Sequence, residues 1–450
     1  MRAKVFFILL ILTHFAWSQD FGGLISEQAL LKIADKETPS LANNVKASIF
    51  ASYGDELWSF RTLGSLTHQF QDSNQLIHLD LDLFVIKFIV PKFLSEQGLL
   101  HVTLGRSPYF DSSRLVVNGL LDQLDVQFHS HPFKIQLGAG YSGLISKYSS
   151  GFIYNIKDQS DNVSSNQYFT SPRLFAWFNA DWEVMPLMVI GLGYLRQQDL
   201  RQLVNPGYSP AKKDDFLFQP QNSPAFDTNY VLFNALSGFS SLGLKLGLSA
   251  ALSQGSSLTY VSGDAYKDIP HLGWALGVKA DWSPLREVSF LSFTALISSG
   301  DSKDRFSFYE GTSLFKDLQQ LSTFRSATAL NMGRVFQPKL GNLILFSLKW
   351  THFPLPAPAL GLLSGFSYSL EVLPSLRMAN GPLSEAINPN SDQNYLGTEA
   401  ILSFDWRLTS DLSLGFFSAW FFANQGSGAP FQNLRPSYEN MNSFNVRVIF

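Results

Sequence analysis

Charged side chains are scarce in this 450-residue chain, and their placement follows a pattern. Asp, Glu, Lys and Arg make up 15% of the residues, against about 25% in an ordinary soluble domain. Lys134, Arg173, Asp181, Lys245, Lys279, Asp281, Lys349, Glu399, Asp405 and Arg407 each stand next to residues of an opposite, mostly apolar phase. Alternation of this kind places them on one face of extended strands. Charges so arranged could line a wet passage and steer ions, and their mixed signs predict weak ion selectivity. Asp80 and Asp82 share a strand phase and could form an acid pair or a cation-attracting rung. His129-x-His131 falls at a short turn and is read as surface. The sequence contains no G-x-S-x-G, H-E-x-x-H or P-loop pattern, so no catalytic residue, metal or cofactor is expected, nor an enzyme.

The elements that must carry these charges are strands. Ser241–Leu252 has Leu242, Leu244, Leu246, Leu248, Ala250 and Leu252 on one face and Gly243, Lys245, Gly247 and Ser249 on the other. Phe133–Tyr141 and Leu396–Leu408 repeat the pattern. A soluble sandwich has the same period but buries its apolar faces in one core. Three features favour a barrel in lipid instead. Short turns, such as Gly238–Ser240 and Ser410-Asp411, alternate with long polar stretches at about 145–170, 201–227, 255–269, 300–341, 373–394 and 425–440. Trp182, Trp282, Trp350 and Trp406 recur just before short turns, on the apolar phase, as a membrane-interface girdle would. The polar phase carries Gly and Ser among its charges, which suits a wet lumen.

The expected fold is an all-β, transmembrane, antiparallel up-and-down β-barrel of about 16 strands, with residues 44–450 forming the barrel. Residues 44–53 also alternate and break the parity, so the range is 14–18 strands. A barrel of this size leaves a channel unless a loop or plug fills it. Arg2 and Lys4, the apolar run Val5–Leu12 and the small residues around Ala16-Trp17-Ser18 read as a signal peptide over residues 1–18. Leu24, Leu30, Leu31 and Ile33 are read as helical turns, making 19–43 a periplasmic or plug segment. The net charge of −3 and the lack of a basic stripe argue against nucleic acid. The absence of Cys fits export without a disulfide framework.

Phe444, Val446, Val448 and Phe450 alternate at the carboxy terminus, with Phe last. The stretch resembles the closing strand of bacterial outer-membrane β-barrel proteins, and the resemblance implies an insertion signal read by the barrel-insertion machinery. Leu104-Gly105-Arg106 and Leu121-Asp122 enclose Asp111 and Arg114. That segment resembles a hairpin of porin-like outer-membrane barrels, including alginate-export-type and uncharacterised spirochaete barrels. Gln123 departs from the family pattern, which has Gly there. The resemblance implies a constriction loop containing Asp111, Arg114 and Asp122. Within it the run Leu115–Val117 and Leu120-Leu121 is too apolar for an exposed loop and is expected to pack into the barrel.

Together these features point to a channel for small solutes in a Gram-negative outer membrane, with lipid, insertion machinery and solute as partners and a homo-oligomer as an option. Two alternatives stay open. Phe84, Ile86 and Phe88, with Phe417 and Phe421, would serve a transporter of hydrophobic compounds if they face inward. Loops 201–227 and 300–341 are long enough for a non-conducting surface or adhesion barrel.

Overall fold

Backbone N–H and C=O groups in an apolar surround must find partners within the chain, and a sheet does this only by closing on itself. The computed structural model describes residues 20–450 apart from 36–38, 72–73, 143–150, 153–171, 201–225, 262–265, 286–287, 303–311, 314–319, 329–331, 355–364, 382, 385–386 and 389–390. The first strands are β1 (Asp20–Ala34), β2 (Ser40–Gly54), β3 (Trp58–Gln71), β4 (Asn74–Pro91), β5 (Leu99–Phe110), β6 (Asn118–Ser130) and β7 (Phe133–Ser142). Next come β8 (Arg173–Met185), β9 (Met188–Asp199), β10 (Phe226–Phe239), β11 (Leu244–Val261), β12 (Tyr266–Leu285) and β13 (Ser289–Ser298). The last are β14 (Thr312–Ser313), β15 (Leu343–His352), β16 (Phe366–Arg377), β17 (Tyr395–Arg407), β18 (Leu412–Ala423) and β19 (Tyr438–Ile449).

Each strand pairs antiparallel with the next, β13 with β15, and β1 closes the ring against β19, with Leu24 opposite Ile449. The product is a closed barrel of 18 strands. The two residues of β14 instead run parallel to the tip of β11. At the seam Gly23 N donates to Phe450 O (2.7 Å) and Phe450 N to Gly23 O (3.0 Å). The Phe450 ring lies where a Cβ on Gly23 would be, so a side chain here would displace that ring.

The count exceeds the expected 16 by two, because the amino-terminal stretch supplies two strands. Residues 20–34, read from sequence as helical turns of a plug or periplasmic segment, are strand β1. Leu24 and Leu30 fall on the opposite strand phase from Leu31 and Ile33, which hid the strand period; the phase is set by Phe21, Ile25, Leu31 and Ile33, which form its exposed apolar face. Residues 40–54 then form β2 and restore an even number. In the stretch 255–269, expected as a loop, residues 255–261 and 266–269 instead continue β11 and β12, paired as far as Tyr260 opposite Tyr266. The signal-peptide reading of 1–18 lies outside the described residues.

The wall has two faces. On β12, Trp274, Leu276 and Val278 are exposed outward, whereas Gly273, Ala275 and Gly277 are buried inward. An Arg or Lys on the lipid side at the bilayer midplane costs about 2–4 kcal/mol, which confines most charge to the inner phase. Trp182, Trp282 and Trp350 are exposed by 48%, 45% and 39% on the outer face beside short turns, and Trp406 stands at the matching end of β17. Phe444, Val446 and Val448 also face outward on β19.

A β-bulge opposite Leu63 and Gly64 makes Asp82 an extra residue in β4 and reverses the phase beyond it. Asp82 therefore does not pair with Asp80; Lys46 Nζ meets it at 2.6 Å. The same bulge turns Phe84, Ile86 and Phe88 to the outside, contrary to the inward phase that a hydrophobic-compound transporter would need. Phe417 and Phe421 do face inward.

The hydrophobic core sits inside the barrel toward the long-loop end. Tyr109, Phe175, Trp177 and Phe421 reach in from the wall and meet Val116, Phe324, Phe336 and Phe431 of inturned loops.

If residues 20–34 are wall rather than plug, deleting them must open the ring. We expect the deletion variant to lose the compact form that resists unfolding in unheated detergent gels. A variant that still migrates as a closed barrel would refute the assignment.

Candidate functional site

The sequence between β5 and β6 is too apolar to stay in water and too short to form a strand, and one buried carboxylate folds it. Asp111 accepts hydrogen bonds from Ser113 N (2.9 Å), Ser113 Oγ (2.5 Å), Val116 N (3.0 Å) and Val117 N (2.6 Å). Burial pushes its carboxyl above the usual range, while these bonds from Ser113, Val117 and Val116 pull it back down. The resulting turn sends Leu115, Val116 and Val117 into the barrel, where they are 5%, 1% and 1% exposed. Arg114 points the other way, its guanidinium 6.0 Å from the centre of the Phe110 ring.

A second loop between β14 and β15, described over residues 320–328 and 332–342, meets this turn. Ala327 N and Thr328 N donate to Val116 O at 2.8 and 3.3 Å. Asn118 N donates to Thr328 Oγ1 (2.9 Å), and Tyr230 Oη on the wall donates to Arg325 O (2.8 Å). Asp301 takes the backbone N–H groups of Ser322 (2.7 Å) and Thr323 (3.2 Å). The loop's far end is held by Glu399 on β17, which accepts from the N–H groups of Arg334 (2.6 Å), Val335 (3.0 Å) and Phe336 (3.1 Å).

Arg435, from the segment between β18 and β19, reinforces that end. It donates to Val335 O at 3.1 Å and pairs with Glu439. Its guanidinium lies 5.4, 4.9 and 5.7 Å from the ring centres of Phe336, Phe421 and Phe431. In the ring order β6 and β17 are nearly opposite one another. The two loops together thus bridge the lumen, anchored on both sides.

The charges expected to line the lumen divide into four groups. Arg173 and Glu399 are buried anchors rather than water-facing groups: Arg173 is 0% exposed and meets Asp199 at 3.4 Å, and Glu399 is 2% exposed. Lys279 and Asp281 pair at 2.9 Å near the short turns, with Lys245 across from Asp281, and Lys349 stands across from Glu371. Asp405 and Arg407 border a recess with Asn445 and Arg447 at the same end. Lys134 and Asp181 face each other on β7 and β8.

Of the three residues assigned to a constriction loop, only Asp111 and Arg114 are in the loop. Asp122 already belongs to β6, since that strand begins at Asn118. It shares a face with Leu124 and Tyr141, turned away from the lumen, and Arg106 approaches it at 3.8 Å. Sequence reasoning missed the second loop. Its signal was the same as in the first, apolar residues inside a nominal loop: Leu321, Phe324, Val335, Phe336 and Leu340.

The same barrel occurs in solved structures. OccK5 (OpdH) of Pseudomonas aeruginosa superposes with a TM-score of 0.54 at 11% identity, covering 96% of this chain and 99% of that one. OccK2 (OpdF) of the same organism gives 0.52 at 10% identity, covering 96% and 98%. OpdK, solved with vanillate, gives 0.52 at 9% identity, covering 96% and 99%. No family model and no curated protein sequence matches the chain. At these identities the likeness is one of fold.

Removing the Glu399 carboxylate takes the acceptor from three N–H groups, of which that of Phe336 is buried and costs about 1–3 kcal/mol to leave unpaired. Glu399→Ala is expected to speed amide exchange at residues 334–336 by at least tenfold in a barrel that still resists unfolding in detergent. Unchanged exchange there would show that the carboxylate does not hold the loop.

Proposed function

We propose that the protein is an outer-membrane channel for small solutes, with the passage limited by loops 111–117 and 320–342. The observation that carries this reading is the hydrogen bonding of the two loops to each other inside the wall, with Ala327 N on Val116 O at 2.8 Å. Loops hydrogen-bonded to each other and to both sides of the wall narrow the passage at a defined place. The belt of exposed Leu, Phe and Trp on the outer face fits a bilayer. The structural neighbours are outer-membrane porins, which supports the same membrane and the same class of task. Lipid, a small solute and the insertion machinery are the partners this reading entails. The narrower likeness to alginate-export-type and spirochaete barrels rests only on residues 104–128.

The pairing of Lys46 with Asp82 and of Lys279 with Asp281 neutralises much of the lumen charge locally. That supports weak selectivity between simple ions. The hydrophobic-compound reading loses half its basis, because Phe84, Ile86 and Phe88 face outward, and Phe417 lies beneath Arg334 at 4.9 Å.

The test is single-channel recording of the refolded protein in a planar bilayer. Wild type is expected to show small, stable steps with a near-zero reversal potential in a salt gradient. A variant with residues 323–337 replaced by a short Gly-Ser link is expected to conduct severalfold more. Silence from both proteins, each verified as inserted, would overturn the channel reading.

A further inference from the structure

The outer wall is apolar along the middle of most strands, and Glu27 is an exception. It lies on β1 in the phase of Phe21, Ile25, Leu31 and Ile33, seven residues from Asp20 and seven from Ala34, and it is exposed. Its carboxylate therefore faces hydrocarbon near the middle of the bilayer, where a charged side chain is unfavourable. Asn43 on β2 gives it one hydrogen bond, Nδ2 to Oε1 at 3.1 Å. No cation pairs with it among the described residues. On β3, His68 shares the outer phase with Leu66, and its Nε2 has no hydrogen-bond partner among the described residues. Glu27, Val45 and His68 stand in one register row across β1, β2 and β3.

Polar side chains at two other places on the outer phase are satisfied within their own wall. On β18 and β19, Ser418 Oγ donates to Asn442 Oδ1 (2.6 Å) and Asn440 Nδ2 to Ser418 Oγ (3.3 Å). Arg106 and Asp122 approach each other at 3.8 Å. The strip from β1 to β3 differs. It carries a carboxylate at one edge and an imidazole at the other, and Val45 stands between them. A neutral imidazole offers one N–H and a protonated one offers two. The strip thus holds both halves of a charge-assisted hydrogen bond, on backbones about 10 Å apart, and does not close it on itself.

We infer that the outer strip from β1 to β3 is where a second copy of this chain docks. Two copies inserted in the same sense pair through a two-fold axis along the membrane normal, and such a contact is isologous. With the axis beside β2, β1 of each copy lies against β3 of the other. Glu27 of one copy then meets His68 of the partner subunit, and the contact is made twice. Strands tilted by about 35–45° and spaced about 4.8 Å apart put these two residues roughly 6 Å apart in height, a span that two side chains cover. Val45 lies near the axis, against Val45 of the partner subunit. Two convex walls touch along a strip only a few strands wide, which fits the three strands involved. The inference rests on the barrel's place in a bilayer and not on whether it conducts.

The chain has no cysteine, so a single introduced one reports a contact cleanly. Val45→Cys is oxidised in native outer membranes, with Leu248→Cys, exposed on the opposite side of the ring, as control. Val45→Cys is expected to give a disulfide-linked band of two protomers, at a yield at least tenfold above the control. Glu27→Leu added to Val45→Cys places an apolar group on an outward position and should lower the yield at least fivefold, as should His68→Leu. Exchanging the pair, Glu27→His with His68→Glu, should restore it. A Val45→Cys yield no greater than the control would overturn the proposal, as would an adduct with a different protein. So would an undiminished yield in Glu27→Leu, the result expected if the Asn43 bond alone lets the carboxyl sit in lipid. An exchanged pair that stays at the level of the single variants would overturn the pairing of Glu27 with His68. Should the exchanged chain fail to fold, sedimentation equilibrium in density-matched detergent decides: wild type is expected to associate at least fivefold more strongly than Glu27→Leu, and equal association refutes the strip. A conducting barrel that does not cross-link removes the docking strip and leaves the channel. A silent barrel that cross-links does the reverse.

Discussion

Every feature of this molecule depends on the pairing of wall backbone groups across a single seam. A sheet in hydrocarbon cannot leave an edge, because each unpaired N–H or C=O there costs several kcal/mol. The seam between β1 and β19 removes the two edges that the other pairings leave. Its register places Gly23 against the terminal Phe450, whose ring occupies the room that glycine leaves. Closure creates an inside, and the inside allows residues such as Asp111, Glu399 and Asp301 to be buried without meeting lipid.

Once the wall is closed, its inner face offers two kinds of hold. Toward the long-loop end it presents aromatic and aliphatic side chains, and the inturned loops bury apolar residues against them. Apolar packing fixes no register by itself. The carboxylates do, since each grips particular N–H groups in a set geometry: Asp111 within its own turn, Asp301 at one end of the long loop and Glu399 at the other. Toward the short-turn end the inner face is polar and less crowded, with ion pairs such as Lys279 and Asp281 left in solvent.

Much of the wall was legible because strand period and turn chemistry are local. The alternation in Ser241–Leu252 and the Trp positions at 182, 282, 350 and 406 need no knowledge of the rest of the chain. The amino-terminal strands were harder. Leu30-Leu31 in β1 and Asn43-Asn44 in β2 interrupt the alternation, and the pairing of β1 with β19 spans almost the whole sequence. The bulge at Asp82 was invisible, since one extra residue changes the phase of Phe84, Ile86 and Phe88 without a local signature. The site was least legible. Glu399 reads as one more lumen charge until the backbone of residues 334–336 is seen to lie on it.

The attachment of the long loop at Glu399 has a consequence for how such a molecule diversifies. The carboxylate grips main chain at Arg334, Val335 and Phe336, and main-chain donors are common to every residue except proline. Replacing Arg334 or Val335 by another non-proline residue alters what projects from the loop and leaves these bonds in place. Phe336, which also fills the aromatic box around Arg435, is less free. Anchorage and lining are thus encoded separately. A lineage carrying this scaffold can explore new linings at the loop tip by single substitutions, without first passing through forms that have lost the bridge.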